Sequence, residues 1–162
     1  MSLSKTLKFC LFLLVMCFSH NSQMIEDQYK PYFIKFVEIA KQCEIPINTS
    51  ELRIETEYNM RKKPYIAVTY VLHDLIRVKY KYYRRLSESE QEQTIMHELG
   101  HSLLNLEHDN TSLNIMTSKG FIPKDLFEYE YDYFIRRLFI NCKAPLMEKF
   151  EYDFQEKKWT IK

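Results

Sequence analysis

The sequence has little glycine and almost no net charge. Only 2 of its 162 residues are glycine, so we expect Asn and Asp to occupy many of the tight turns. The formal net charge of +1 offers no broadly basic surface, and no nucleic-acid partner is expected. Internal repeats and low-complexity segments are also missing, and a chain of this length is predicted to form one domain.

Long hydrophobic runs are missing as well, with one short exception near the N-terminus. The apolar run over residues 9–18 is too short to span a bilayer comfortably, and it follows Lys5 and Lys8. This order, charge first and then apolar residues, is typical of a secretory signal peptide. We therefore predict a signal peptide over residues 1–19, with cleavage after Ser19. The rest would be secreted, or held in the periplasm or at the cell surface.

Cysteine is rare, at 4 residues, and two of the four lie in that N-terminal segment. Cys17 offers an alternative to free secretion, because a lipid attached there would anchor the protein without a membrane span. Residues 20–162, predicted to be a single domain, contain Cys43 and Cys142. These two could form one disulfide in an oxidising compartment or remain two buried thiols, and the sequence leaves this open.

Helix and strand signals are mixed along residues 20–162, which predicts an α+β fold. Apolar residues at three- and four-residue steps indicate helices over residues 29–43, from Ser87 onward, and over residues 123–141. Alternating apolar and polar residues indicate strands over residues 52–58, 65–71 and 75–80, with a terminal hairpin after residue 149.

Turn and capping signals set the limits of some of these elements. Ser87 and Glu90 have the spacing of a capping box, which predicts a helix start. Asn105 is predicted to end the same helix, because Asn tolerates the left-handed conformation better than most residues. His73 and Asp74 are placed to turn a hairpin between two predicted strands.

Three of the five histidines lie within twelve residues of one another, and this cluster is the strongest functional signal. His97 and His101 are four apart on the predicted helix, so both imidazoles lie on one face and can reach one ion. Glu98 follows the first histidine, and His108 comes seven residues after the second. This pattern provides the ligands of a zinc site that keeps one position open. The alternative is a solvated helix face that holds His and Glu by chance.

The cluster resembles the metzincin clan of zinc peptidases, which carry H-E-x-x-H-x-x-G-x-x-H and a downstream methionine turn. The resemblance covers about residues 87–117, and Met116 follows His108 by eight residues, a spacing similar to that of the matrixin branch. It implies a zincin-like fold: a small mixed sheet with a packing helix, an active-site helix, and a small C-terminal subdomain with one helix. It also implies Zn²⁺ held by His97, His101 and His108, with Met116 beneath the metal.

One departure from the clan's pattern leaves the third ligand open. The clan places its third histidine ten residues after the first, where this chain has Glu107, and His108 is the eleventh. Asn105 stands three residues before His108, where the clan has glycine. One extra residue in the helix would therefore let Asn105 take the glycine's place. The alternative is that Glu107 ligates the metal, as carboxylates do in other zinc sites.

The ligands and Glu98 together predict an exported zinc-dependent metalloendopeptidase. Zinc lowers the pKa of a bound water to about 7, and Glu98 would act as the general base toward that water. The expected partner is a peptide or protein substrate, which the strand over residues 65–71 would bind in extended form. The protein is expected to be a monomer. The alternative is an exported zinc-binding or interaction domain without useful turnover, in which Glu98 would have no purpose.

Overall fold

The computed structural model describes residues 23–59, residues 65–139, and the backbone of two strands after residue 149. The predicted signal peptide, with Cys17, and the second cysteine of the pair, Cys142, lie outside the described residues. Within the described ranges, no helix is long and apolar enough to cross a membrane.

The described chain is a mixed α+β structure, as the helix and strand signals predicted. The strands are β1 Met24–Ile25, β2 Arg53–Glu57, β3 Ala67–Tyr70, β4 Leu75–Lys79, β5 Phe150–Asp153 and β6 Lys158–Ile161. The helices are α1 Lys30–Gln42, α2 Tyr80–Tyr83, α3 Glu88–Leu104, α4 Lys124–Tyr129 and α5 Tyr131–Arg137. Two short 3-10 turns cover Asp27–Tyr29 and Val71–His73.

The first four strands form one sheet in the order β1-β2-β4-β3. β1, β2 and β4 run parallel, whereas β3 is antiparallel to β4 and forms one edge of this sheet. The chain turns between β3 and β4 at Asp74, whose φ of 45° is left-handed, so an Asp replaces the missing glycine as expected. β5 and β6 pair with each other in antiparallel fashion, which confirms the terminal hairpin.

Helix α3 carries the histidine motif, and both of its predicted ends are confirmed. At the start, the Ser87 N–H donates to Glu90 Oε2 at 2.8 Å and the Glu90 N–H donates back to Ser87 Oγ at 3.4 Å. At the end, Asn105 is left-handed, with φ 52° and ψ 36°. The Leu106 N–H then donates to the Gly100 carbonyl at 3.1 Å, so the chain reverses directly after the helix.

Helix α3 packs against both the sheet and α1. It contacts β3 and β4 of the sheet, and it also contacts α1. One buried cluster joins these elements through side chains with almost no exposed surface: Phe36, Ile54, Ile76, Ile95 and Leu99. Because residues two apart on a helix point roughly 200° from each other, burying Ile95 and Leu99 turns His97 and His101 away from this core. The packing therefore sets the direction in which the motif faces.

The prediction of one continuous helix over residues 123–141 was wrong. The structure has two helices, α4 and α5, which meet at Glu130, where φ −107° and ψ 30° depart from helical values. Both short helices bury side chains in the core, Phe127 from α4 and Tyr133, Phe134 and Ile135 from α5. The break at Glu130 changes the direction of the chain between these two buried sets, which the apolar periodicity alone did not predict.

Cys43 lies at the C-terminal end of α1, is buried, and is disulfide-bonded. The free-thiol alternative therefore does not hold for this residue. No second cysteine occurs among the described residues, so the pairing with Cys142 stays a prediction.

Candidate metal centre

The Nε2 atoms of three histidines form a small triangle. The distances are 3.0 Å between His97 and His101, 3.1 Å between His97 and His108, and 3.2 Å between His101 and His108. Imidazole nitrogens at these distances from one another are spaced as the ligands of a single zinc ion would be. These three residues could therefore hold one metal ion. The structure brings His108, and not Glu107, to the pair on α3.

Backbone carbonyls fix which nitrogen carries the proton in two of the rings. His97 Nδ1 lies 2.7 Å from the Ile115 carbonyl, and His101 Nδ1 lies 2.5 Å from the Leu106 carbonyl. Because a carbonyl only accepts, each Nδ1 carries the proton and donates it, and each Nε2 of a neutral ring is left with a lone pair. The two lone pairs then face each other across 3.0 Å. They repel one another, whereas a cation would attract both, so the donor set fits a metal ion.

Burial favours the neutral form of the His97 and His108 rings, the form in which imidazole binds metals. It lowers the pKa of His97 to about 4, against a smaller upward effect of the hydrogen bond to Ile115. His108 is more exposed, and its pKa is also lowered, first by desolvation and then by its proximity to His101. At neutral pH these two rings therefore carry no proton that would compete with a metal.

The segment Asn114–Thr117 is a tight turn that supports the triangle. It closes with a hydrogen bond of 3.3 Å from the Thr117 N–H to the Asn114 carbonyl. Within the turn, Ile115 provides the carbonyl that holds His97. The Met116 carbonyl accepts the N–H of Asp109, the residue after His108, at 3.0 Å. One turn thus fixes two of the three ligand-bearing segments relative to each other.

Met116 is buried against α3 at a position where only glycine leaves enough room. A Cβ added at Gly100 would lie 2.6 Å from the Met116 Sδ, closer than real Cβ contacts come. Gly100 immediately precedes His101, so the thioether packs against the helix backbone next to a candidate ligand. The glycine inside the motif therefore has a packing role as well as a place in the pattern.

Glu98 is a buried carboxylate that shares the cleft with the histidines. The Thr69 hydroxyl lies 2.6 Å from Glu98 Oε2 and 3.0 Å from the Glu98 carbonyl, and it donates to these oxygens. Burial raises the pKa of Glu98, and the hydrogen bond from Thr69 partly opposes that rise. Thr69 was not foreseen from the sequence. The alternation of residues along β3 could have predicted on which face of the strand Thr69 lies. It could not have predicted that this side chain meets α3.

Three adjoining cavities form a cleft along β3. The first, of about 370 Å³, includes Gln93, His97, Glu98, Ile115 and Phe121, and we call it the Phe121 pocket. A middle cavity of about 450 Å³ lies along β3 and contains all three histidines and Glu98. The last, of about 490 Å³, includes Val71, Leu106, Glu107 and His108, and we call it the Glu107 pocket. Because the middle cavity shares lining residues with both others, the triangle lies at the centre of the cleft.

The outer wall of the Phe121 pocket is fixed by a residue that the sequence did not single out. The buried Gln93 amide donates from Nε2 to the Ile122 carbonyl at 3.1 Å. Its Oε1 accepts the Ile122 N–H at 2.8 Å. Gln93 lies one turn before His97 on α3, so this double hydrogen bond attaches the loop wall to the same helix that carries the histidines.

Of the predicted site residues, His97, Glu98, His101 and His108 share one cleft, and Met116 lies buried next to the helix that carries three of them. No protein-family model, curated protein or solved structure matches this chain. Any chemistry assigned to the cleft therefore rests on its geometry.

Proposed function

We propose that the protein is an exported zinc-dependent metallopeptidase that resembles the metzincin clan. The observation that carries this proposal is the convergence of three Nε2 atoms, two of them on rings whose Nδ1 protons are held by carbonyls. Imidazole is a preferred ligand of zinc, and three such ligands leave a fourth position open. Bound zinc would polarise a carbonyl oxygen and make a water molecule acidic near neutral pH.

Glu98 supplies the general base in this proposal. Thr69 holds Oε2, while Oε1 makes no hydrogen bond within the described residues and is available for a proton. Glu98 takes one proton from water as the water oxygen bonds to the peptide carbonyl carbon. It then passes a proton to the amide nitrogen as the C–N bond breaks, which leaves a carboxylate and an amine. A protein that only stored metal would have no use for this buried carboxylate.

The position of the edge strand β3 favours a peptide as the substrate. It pairs with β4 on one side, and on the other side it borders the cavity that contains the histidines. An extended peptide could add to this edge through backbone hydrogen bonds, which would bring a carbonyl close to Glu98. The Phe121 pocket, partly apolar through Ile66, Ile115 and Phe121, would receive a substrate side chain on one side of the scissile bond.

Export remains part of the proposal, with residues 1–19 as the leader and either free secretion or a lipid at Cys17. The disulfide at Cys43 supports an oxidising compartment, because structural disulfides are rare in reducing ones. The N-terminal mass of the protein purified from its native host would distinguish cleavage after Ser19 from lipidation.

Metal binding is tested by zinc titration of the purified protein. We expect one zinc per chain, and each of His97→Ala, His101→Ala and His108→Ala should weaken zinc binding by at least about 100-fold. Glu107→Ala is the matched control and should bind zinc like the unmodified protein. If Glu107→Ala loses zinc while His108→Ala keeps it, the third ligand is Glu107.

Peptidase activity is tested with a mixed peptide pool, with and without a chelator. Glu98→Ala should keep its zinc and lose cleavage by roughly 100- to 10,000-fold, the usual contribution of a positioned base. Undiminished cleavage by Glu98→Ala would contradict the mechanism. A zinc-loaded protein that cleaves no peptide would instead favour the alternative, a zinc-binding domain without turnover.

A further inference from the structure

Glu107 lies beside the metal triangle without taking part in it. Its carboxylate is exposed and lines the Glu107 pocket together with His108. No hydrogen bond or ion pair holds it within the part of the chain that the structure describes. The left-handed turn at Asn105 brings the residue to this place, because it directs His108 into the triangle and leaves Glu107 at the adjoining wall.

The rest of that pocket suits the stem of a long cationic side chain. Val71 and Leu106 provide apolar surface, and Asn105 is the remaining polar residue besides Glu107 and the histidines. Lys and Arg side chains characteristically pack their methylene stems on apolar surface while the charged end meets water or a carboxylate. The pocket offers both features within one cavity of about 490 Å³.

The side chains that line the cleft, as far as the structure describes them, add no positive charge that would repel a substrate cation. Among the described residues that line the three cavities, none is Lys or Arg. The only carboxylates there are Glu98 and Glu107, and Glu98 is buried and bonded to Thr69. Among the described lining residues, Glu107 is therefore the accessible negative charge.

The position of this pocket also assigns it to one side of the scissile bond. The reacting carbonyl must lie near Glu98 and the histidines, which is in the middle cavity. The Phe121 pocket adjoins that cavity at the Ala67 end of β3, and the Glu107 pocket adjoins it at Val71. Ala67 begins β3 and Val71 directly follows the strand, so the four residues of β3, about 13 Å of extended chain, separate the two pockets. A peptide along β3 would therefore place residues from opposite sides of the scissile bond in the two pockets.

We infer that the Glu107 pocket selects a basic substrate side chain, and that Glu107 is the residue that determines this specificity. The inference rests on the proposed peptidase function and names its substrate class: peptides with Lys or Arg on the side of the scissile bond opposite to the residue in the Phe121 pocket.

The test is a cleavage profile of the zinc-loaded protein on a peptide library, read by mass spectrometry. Lys and Arg should be enriched at one position, on the side opposite to the apolar preference. Glu107→Gln should lower kcat/KM for a Lys-containing peptide by about threefold to fivefold relative to its norleucine analogue, as expected for a partly exposed ion pair. Glu107→Lys should reverse the preference toward acidic side chains. Glu38→Gln, which removes an exposed charge from α1, is the matched control and should leave the profile unchanged.

Binding gives a second readout that needs no turnover. In the Glu98→Ala background, a fluorescent Lys-containing peptide should bind more tightly than its norleucine analogue at low salt, and adding Glu107→Gln should remove that difference. Cleavage without a basic preference, or a preference that survives in Glu107→Gln, would overturn this inference and leave the peptidase proposal intact. Absence of all cleavage by the zinc-loaded protein would instead overturn the proposed function, and the inference with it.

Discussion

The hydroxyl of Thr69 on the edge strand donates to the carboxylate of Glu98 on α3 at 2.6 Å. This hydrogen bond joins the strand that borders the cleft to the candidate general base. It also orients one carboxylate oxygen and leaves the other for a proton. The Thr69 side chain thus fixes the position of the candidate general base relative to the edge strand that would bind the substrate.

Replacing Thr69 by Val should weaken catalysis mainly at low pH. The hydrogen bond lowers the pKa of Glu98, so its loss should raise that pKa further, and the base would be protonated over a wider range. Because the base must be ionised, the acid limb of kcat/KM should move to higher pH, with kcat/KM on that limb reduced by up to about tenfold. Thr69→Ser keeps the hydroxyl and should keep the profile. An acid limb that stays in place in Thr69→Val would show that the contact does not tune Glu98.

Gly100→Ala should destabilise the protein even though alanine is the better helix former. The new Cβ would meet Met116 Sδ at 2.6 Å, so the thioether must move within a packed site. We expect a net loss of up to about 2 kcal/mol in the free energy of unfolding, which is the usual cost of overpacking, about 1–3 kcal/mol, less a gain of about 1 kcal/mol in helix propensity. In a Met116→Ala background the same change should be neutral or stabilising. A cost that is equal in both backgrounds would mean that Met116 is not its cause.

Sequence patterns were sufficient to predict those features whose determining residues lie within one or two helical turns of one another. The capping box at Ser87, the left-handed Asn105 and the spacing of His97 and His101 are local features, and each follows from helix geometry alone. The break at Glu130 could not be foreseen, because the apolar stripe is equally compatible with one helix. Only packing reveals that the chain changes direction between the residues buried by α4 and those buried by α5.

The contacts that tune the candidate site join residues far apart in the sequence. Thr69 and Glu98 are separated by 29 positions, and so are Gln93 and Ile122. No periodic pattern encodes which strand or loop meets α3 at these points, and such pairs are set by the tertiary fold. For this reason the histidines could be recognised from the sequence, whereas the residues that hold Glu98 and the pocket wall could not.

Gln93→Leu should loosen the wall of the Phe121 pocket without removing the metal. The change leaves the N–H and the carbonyl of the buried Ile122 without their partner, at a cost of about 2–4 kcal/mol in the free energy of unfolding. None of the groups that hold the histidines is touched, so zinc affinity should stay the same while preference for the side chain in this pocket becomes broader. Gln42→Leu, at the exposed end of α1, is the control and should change stability by less than about 0.5 kcal/mol. Loss of zinc in Gln93→Leu would contradict this separation of roles.

Alkaline pH should destabilise the protein through Tyr29. This ring is fully buried, and its hydroxyl contacts Thr56 Oγ1 at 2.8 Å. Burial raises the pKa of Tyr29 from 10.0 to about 12, against a smaller downward effect of the hydrogen bond with Thr56. Between these two pH values the unfolded chain releases a proton that the folded protein retains. The stabilisation is therefore complete below pH 10 and is lost as pH rises toward 12, by up to about 2.7 kcal/mol.

Urea unfolding at several pH values measures this contribution as the difference between the unmodified protein and Tyr29→Phe. Near pH 8 the unmodified protein should be more stable by about 1 kcal/mol, because the variant lacks the hydrogen bond to Thr56. That advantage should shrink and then reverse as pH rises from 10 to 12, since Phe has no proton to release. Tyr129→Phe, at a side chain that is 83% exposed, is the matched control and should follow the unmodified protein at every pH. A Tyr29→Phe difference that stays constant from pH 8 to pH 12 would show that other groups control the alkaline transition.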